Sequence, residues 1–139
     1  MVNQNIIKAK ISHVEGSLQR LKEKADITAD GFKKNRDLQD IVLHNLQLAI
    51  QGCIDIASHV VSDEGWPVPD TLAGIFDILE QHKVIPQDLN EKLKKMVGFR
   101  NIIIHEYGTV DLDKVYIVLT ADIKDIYSFL KQVCAYAKI

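Results

Sequence analysis

The chain has 139 residues, enough for one domain around a single sizeable core, and no linker or repeat divides residues 1–139. Hydrophobic residues at 47% and charged residues at 26% exclude a disordered tail, a collagen-like repeat and a disulfide-built miniprotein. Seventeen basic residues against 19 acidic ones give a formal net charge of -2, so there is no global basic field and any nucleic-acid contact has to be local. Cys53 and Cys134 both fall in apolar periodic stretches and read as buried free thiols. The opening MVNQNIIKAKISHVEG has no apolar block of a secretory leader, and no apolar run reaches the ~20 residues that span a bilayer. A soluble cytoplasmic protein with no membrane partner is the expectation.

Residues 3–26 place Ile7, Ile11, Val14, Leu18, Leu21 and Ala25 on one stripe, which predicts a long amphipathic helix. TADGFKKNR (28–36) reads as a turn. Asp37 to Val61 follows with two adjacent apolar stripes, one through Leu38, Val42, Leu46, Ala49, Cys53, Ile56 and Val60, the other through Leu43, Ile50, Ile54, Ala57 and Val61. A helix apolar over so wide an arc belongs at the centre. SDEGWPVPD (62–70) is the clearest break, with Trp66 as the residue to anchor it.

A shorter helix is expected around Thr71 to His82. Pro86 then opens a fourth, running to about Tyr107 with Gly108 as its C-cap. Asp111 can cap a last helix with its stripe at Leu112, Tyr116, Leu119, Ile123, Ile126, Leu130, Val133 and Ala137. The fold expected is all-α, an antiparallel bundle of four long helices and one short helix.

The fourth helix has its inward stripe at Leu89, Leu93, Met96, Arg100, Ile103 and Tyr107, so an arginine stands where the period asks for an apolar side chain. A guanidinium cannot be neutralised and needs a carboxylate, carbonyls or an anionic ligand. Two readings stay open here: a structural ion pair with an acidic residue of the second helix, or a phosphate site. RNIIIHEYG adds Asn101, His105 and Tyr107 within two turns, and histidine is suited to proton transfer near neutral pH. At ~100° per residue, Arg100 and Tyr107 fall ~20° apart and His105 ~140° from Arg100. A straight helix cannot aim Arg100 and His105 at one point, so either the helix loosens near Gly108 or a second copy of the chain completes the site.

RNIIIH, an arginine and a polar residue followed by three variable residues and a histidine, resembles the signature of HEPN-domain ribonucleases. The continuation His105-Glu106-Tyr107 and the segment HNLQLAIQGCIDIASHVV resemble the HepT-like toxins, HEPN partners of minimal nucleotidyltransferase antitoxins. The resemblance implies the toxin of a type VII-like HEPN/MNT pair: a homodimeric, cytoplasmic, metal-independent RNA endonuclease that needs no cofactor and leaves a 2′,3′-cyclic phosphate. Carried over residue by residue, Arg100 would hold the phosphate, His105 would act as acid or base, and Asn101 would support them by orienting His105 or the phosphate. Tyr107 would accept AMP from the antitoxin. The alternative is a non-catalytic module that docks a nucleotidyltransferase or its nucleotide.

The remaining polar features read as surface. The pairs Asp40/His44 and Asp55/His59 have i,i+4 spacing but sit ~22 Å apart along one helix, which argues against a di-metal site; they read as hydrogen-bonded pairs on a solvated or interfacial arc. His13 and His82 read as surface residues, and KKNR (33–36) as a solvated face. EKLKK (91–95) precedes Arg100, so Lys92, Lys94 and Lys95 are candidates to guide an RNA backbone.

Overall fold

In the computed structural model, which describes residues 1–139, the first apolar stripe becomes helix α1 (Gln4–Lys24). The Asn3 side chain caps it by accepting the Ile6 N–H at 3.2 Å, and Ile7, Ile11, Val14, Leu18 and Leu21 are buried. The expected turn contains a short helix, α2 (Ala29–Lys34), capped by Thr28, whose hydroxyl accepts the Gly31 N–H at 3.0 Å. Phe32 is its only buried residue and packs on Tyr116 with ring centroids 6.0 Å apart. One apolar anchor among charges leaves no period to read, which is why the sequence pattern does not reveal α2.

Helix α3 (Arg36–Glu64) carries both apolar stripes into the core and runs three residues beyond Val61. Gly65 stops it at φ 72°, a left-handed conformation that glycine adopts without steric cost. Across the following loop, Trp66 stacks on the His82 ring at 3.8 Å and lies 6.2 Å from Tyr136. His82 is exposed, as expected, and also serves as a packing partner, with its Nδ1 3.0 Å from the Ile78 carbonyl.

Helix α4 (Gly74–Gln81) leads to α5 (Gln87–His105), and α6 (Leu112–Ile117) continues through a π turn (Val118–Asp122) into α7 (Ile123–Ala137). Asp111 caps α6, accepting from the Asp113 and Lys114 N–H groups at 3.0 and 3.4 Å. Within the π turn, the Thr120 hydroxyl donates to the Tyr116 carbonyl at 2.8 Å and competes for an acceptor of the α-ladder. No helix is long and apolar enough to cross a membrane.

Four long rods, α1, α3, α5 and the continuous α6–α7 unit, thus enclose one apolar cluster, with α2 and α4 as short covers. Their antiparallel arrangement shows in the contacts at their ends. The start of α1 meets the ends of α3 and α7, where the Asn3 N–H donates to Asp63 at 2.8 Å and Gln4 donates to the Ala137 carbonyl at 2.8 Å; α3 and α7 run in the same direction, and at their shared end the Tyr136 hydroxyl donates to Glu64 at 2.6 Å. Midway along, Gly52 of α3 meets Val14 of α1 so closely that a Cβ at this position would overlap the Val14 side chain.

Gly52→Ala is accordingly expected to lower stability by about 1–3 kcal/mol through overpacking. Gly16→Ala, at a helical position with open space around its Cβ, is expected to raise it by about 0.5–1 kcal/mol. Urea denaturation midpoints measured side by side test both signs, and a stabilised Gly52→Ala variant would contradict the close approach.

Candidate active site

Arg100 lies on α5 between the buried residues Met96, Val97, Phe99 and Ile103, and its own side chain is only partly exposed. Its Nε is buried without a hydrogen-bond partner, while Nη1 donates to Asn101 Oδ1 at 3.2 Å. No carboxylate stands within ion-pair distance, so the structural ion pair with the second long helix is not formed. The result is a half-buried cation that no protein anion neutralises, an environment suited to a phosphoryl oxygen.

Asn101 is exposed beside Arg100, and His105 is exposed as the last residue of α5. The helix stays regular up to His105, so the ~140° separation from Arg100 holds and the two side chains do not converge within one chain. Asn101 joins Arg100; His105 does not.

Tyr107 departs from expectation. Helix α5 ends two residues early, because Glu106 leaves the helical region at φ -133°, ψ 39° and Tyr107–Thr109 form a 3₁₀ turn. Tyr107 therefore loses the helical register that would have set it on the face of Arg100, and Gly108 belongs to the turn and is not the C-cap. Instead, the phenol is 46% exposed and its hydroxyl donates to Asp40 Oδ1 on α3 at 2.7 Å. That hydrogen bond raises the phenol's pKa above the ordinary tyrosine range, with burial and the carboxylate's charge adding to it and Arg36 opposing. Around the pair lies a cleft of about 410 Å³ lined by Lys33, Lys34, Arg36, Asp40, Tyr107 and Gly108 among others.

The EKLKK lysines separate. Lys92 lies 3.9 Å from Asp125 and shares a cleft with Lys95, Lys114 and Lys124 between α5 and the α6–α7 unit. Burial pushes the Asp125 carboxyl above the usual carboxylate range, and Lys92 opposes that shift. Lys94 turns the other way, onto α4, where it pairs with Asp77 at 3.1 Å.

The i,i+4 Asp/His pairs are not formed as read. Asp40 takes Tyr107, Asp55 accepts from Gln51 at 2.9 Å, and His59 lies 3.0 Å from Asp63. Asp40, Lys34 and Arg36, which the sequence pattern places on solvated or interfacial surface, instead line the cleft around Tyr107. Sixty-seven positions separate Asp40 from Tyr107, so no local spacing signals the pair.

Residues 14–133 match the family model described as Ribonuclease HepT-like. Over 128 residues the chain is 36% identical to the mRNA nuclease HepT of Shewanella oneidensis, an alignment covering 91% of this chain and 94% of that protein. It is 24% identical over 131 residues to the tRNA nuclease HepT of Aphanizomenon flos-aquae, covering 94% and 89%. A crystal structure of a toxin–antitoxin with AMP-PNP is similar at a TM-score of 0.88 and 34% identity, over 94% of this chain and 98% of that one. The tri-AMPylated Shewanella oneidensis HEPN toxin in complex with its MNT antitoxin is similar at 0.86 and 35% identity, over 94% and 97%. With the family model spanning residues 14–133 and these relatives in agreement, the chain belongs to the HepT-like ribonuclease family.

Proposed function

We propose that Arg100, Asn101 and His105 cut RNA without a metal ion, that two copies of the chain complete the site, and that AMP transferred to Tyr107 silences it. As a HepT-like ribonuclease, the chain is the nuclease toxin of a HEPN/MNT toxin–antitoxin pair. It works on cytoplasmic RNA as a single domain over residues 1–139, with a nucleotidyltransferase antitoxin as its partner.

The observation that carries the cleavage site is Arg100. A guanidinium with a buried, unpartnered Nε and no carboxylate at hand is destabilising unless a ligand makes up the difference. RNA supplies that ligand. The 2′-hydroxyl attacks the adjacent phosphorus, His105 moves a proton, and Arg100 faces the negative charge that develops on the phosphorane oxygens. Asn101, hydrogen-bonded to Arg100, orients the guanidinium. The bond to the 5′-oxygen breaks and a 2′,3′-cyclic phosphate remains.

The divergence of Arg100 and His105 supports a site shared between copies, with Arg100 of one facing His105 of the other. Ile102 and Ile104, 40% and 39% exposed on either side of fully buried Ile103, provide apolar surface beside it for such a contact. Lys92 and Lys95, in one cleft with Lys114 and Lys124, are placed to follow an RNA backbone, whereas Lys94 is engaged by Asp77.

Unmodified protein is expected to cleave labelled total RNA in excess EDTA, and Arg100→Ala to lower that rate by about 10²–10³-fold. Cleavage that requires a divalent ion, or survives intact in Arg100→Ala, contradicts the proposed site; absence of any cleavage points to a docking module.

Mixing inactive Arg100→Ala with inactive His105→Ala should restore about a quarter of the activity, since half the dimers are then mixed and each holds one intact site. No restoration would mean that each chain carries its own site. For RNA binding, Lys92→Ala combined with Lys95→Ala should reduce the slope of log affinity against log salt by about 1.4, and Lys94→Ala by less.

A further inference from the structure

An exposed phenol needs no protein partner, because water satisfies it. Tyr107 nevertheless leaves the α5 register and hydrogen-bonds to one carboxylate, Asp40 Oδ1, at 2.7 Å. The other charged groups lining this cleft are Lys33 and Lys34 from α2 and Arg36 from α3, with Lys33 held at 3.0 Å by Asp113 of α6. Cations suit the oxygens of an incoming phosphate. A carboxylate repels them, so its use at this position is to receive a proton.

We propose that Asp40 is the proton acceptor for AMP transfer to Tyr107, so that the toxin itself supplies the base for its own neutralisation. The inference rests on Tyr107 being the acceptor. In the step, the Tyr107 Oη forms a bond to the α-phosphorus of an ATP held by the antitoxin. The bond from that phosphorus to the bridging oxygen of the β-phosphate breaks, its electron pair leaves with pyrophosphate, and the phenolic proton passes to the Asp40 carboxylate. Lys34 and Arg36 line the same cleft, where charge accumulates on the phosphoryl oxygens. Because the phenol is held neutral in the pair, little phenolate exists near pH 7 and attack on phosphorus calls for a base in contact with the hydroxyl.

The test is single-turnover AMP incorporation from radiolabelled ATP with Mg²⁺ and saturating MNT antitoxin, followed by intact mass, for wild type, Tyr107→Phe, Asp40→Asn and Asp40→Glu. Label on the wild type that disappears in Tyr107→Phe establishes the acceptor; label retained in Tyr107→Phe, or none on the wild type, overturns the acceptor reading and this inference with it. Given a labelled Tyr107, Asp40→Asn is expected to slow transfer about 100-fold at pH 7. Its rate should then climb about tenfold per pH unit towards pH 9, as phenolate forms without help, while the wild-type rate stays flat; Asp40→Glu should recover part of the loss. Transfer by Asp40→Asn at the wild-type rate, or slowed by a factor independent of pH, overturns the role of Asp40 and leaves Tyr107 as acceptor.

Discussion

Helix α3 is apolar around so much of its circumference that water cannot solvate it, and the placement of the other elements answers that constraint. Thirteen of its residues are buried, Leu38, Val42 and Leu43 near one end and Val60 and Val61 near the other. Each large side chain withdrawn from water contributes about 1.5–3 kcal/mol, so the covering helices are not interchangeable decoration. The α1 helix makes the most extensive contact, with Gly52 admitting Val14 at the crossing. Both ends of α3 are also bound by tyrosines from elsewhere: Tyr136 reaches Glu64, and Tyr107 reaches Asp40.

The site inherits its geometry from this arrangement. Packing of Leu89, Leu93, Met96 and Ile103 against the core fixes the rotation of α5, and that rotation carries Arg100 to the margin of the apolar cluster. There its Nε is out of water while Nη1 can still reach a polar neighbour. An arginine deeper in the core would need a carboxylate and be silenced by it; one fully in water would bind phosphate weakly. The half-buried position keeps the guanidinium uncommitted and electrostatically strong, at some expense in stability, as expected of a functional position.

How much of this was legible depends on whether the signal was local. The stripes of α1, α3 and the α6–α7 unit, the cap at Asp111, and the break that holds Gly65 are written in short spacings, and reading them yields the bundle. Arg100 was visible as a break in periodicity for the same reason. Helix α2 was not, because Phe32 alone makes no pattern. The end of α5 was misplaced by two residues because Ile103 and Tyr107 continue the period, while the backbone turns at Glu106 to let Tyr107 meet α3. That contact spans 67 residues, and only the tertiary structure holds it. The lysine run failed similarly: one stretch of helix surface sends Lys94 to α4 and Lys92 towards the last helix, a division that charge counting cannot see.

The early end of α5 also bears on how modification at Tyr107 would silence cleavage. On a continuous helix, AMP on Tyr107 would share the face of Arg100 and could occupy its guanidinium directly. With the register broken, Tyr107 belongs to the cleft beside α3, and Arg100 lies seven residues back, a separation of order 10 Å at helical rise. That is close to the Debye length of about 8 Å at physiological salt, so one phosphodiester on the phenol is only weakly felt at Arg100 through solvent. A longer adduct changes the balance, because each added nucleotide brings another charge and extends from the α3 side towards the face that would receive RNA. On the proposed acceptor role of Tyr107, silencing would then depend on how far the adduct reaches from the α3 side, and the broken helix is what makes that reach matter.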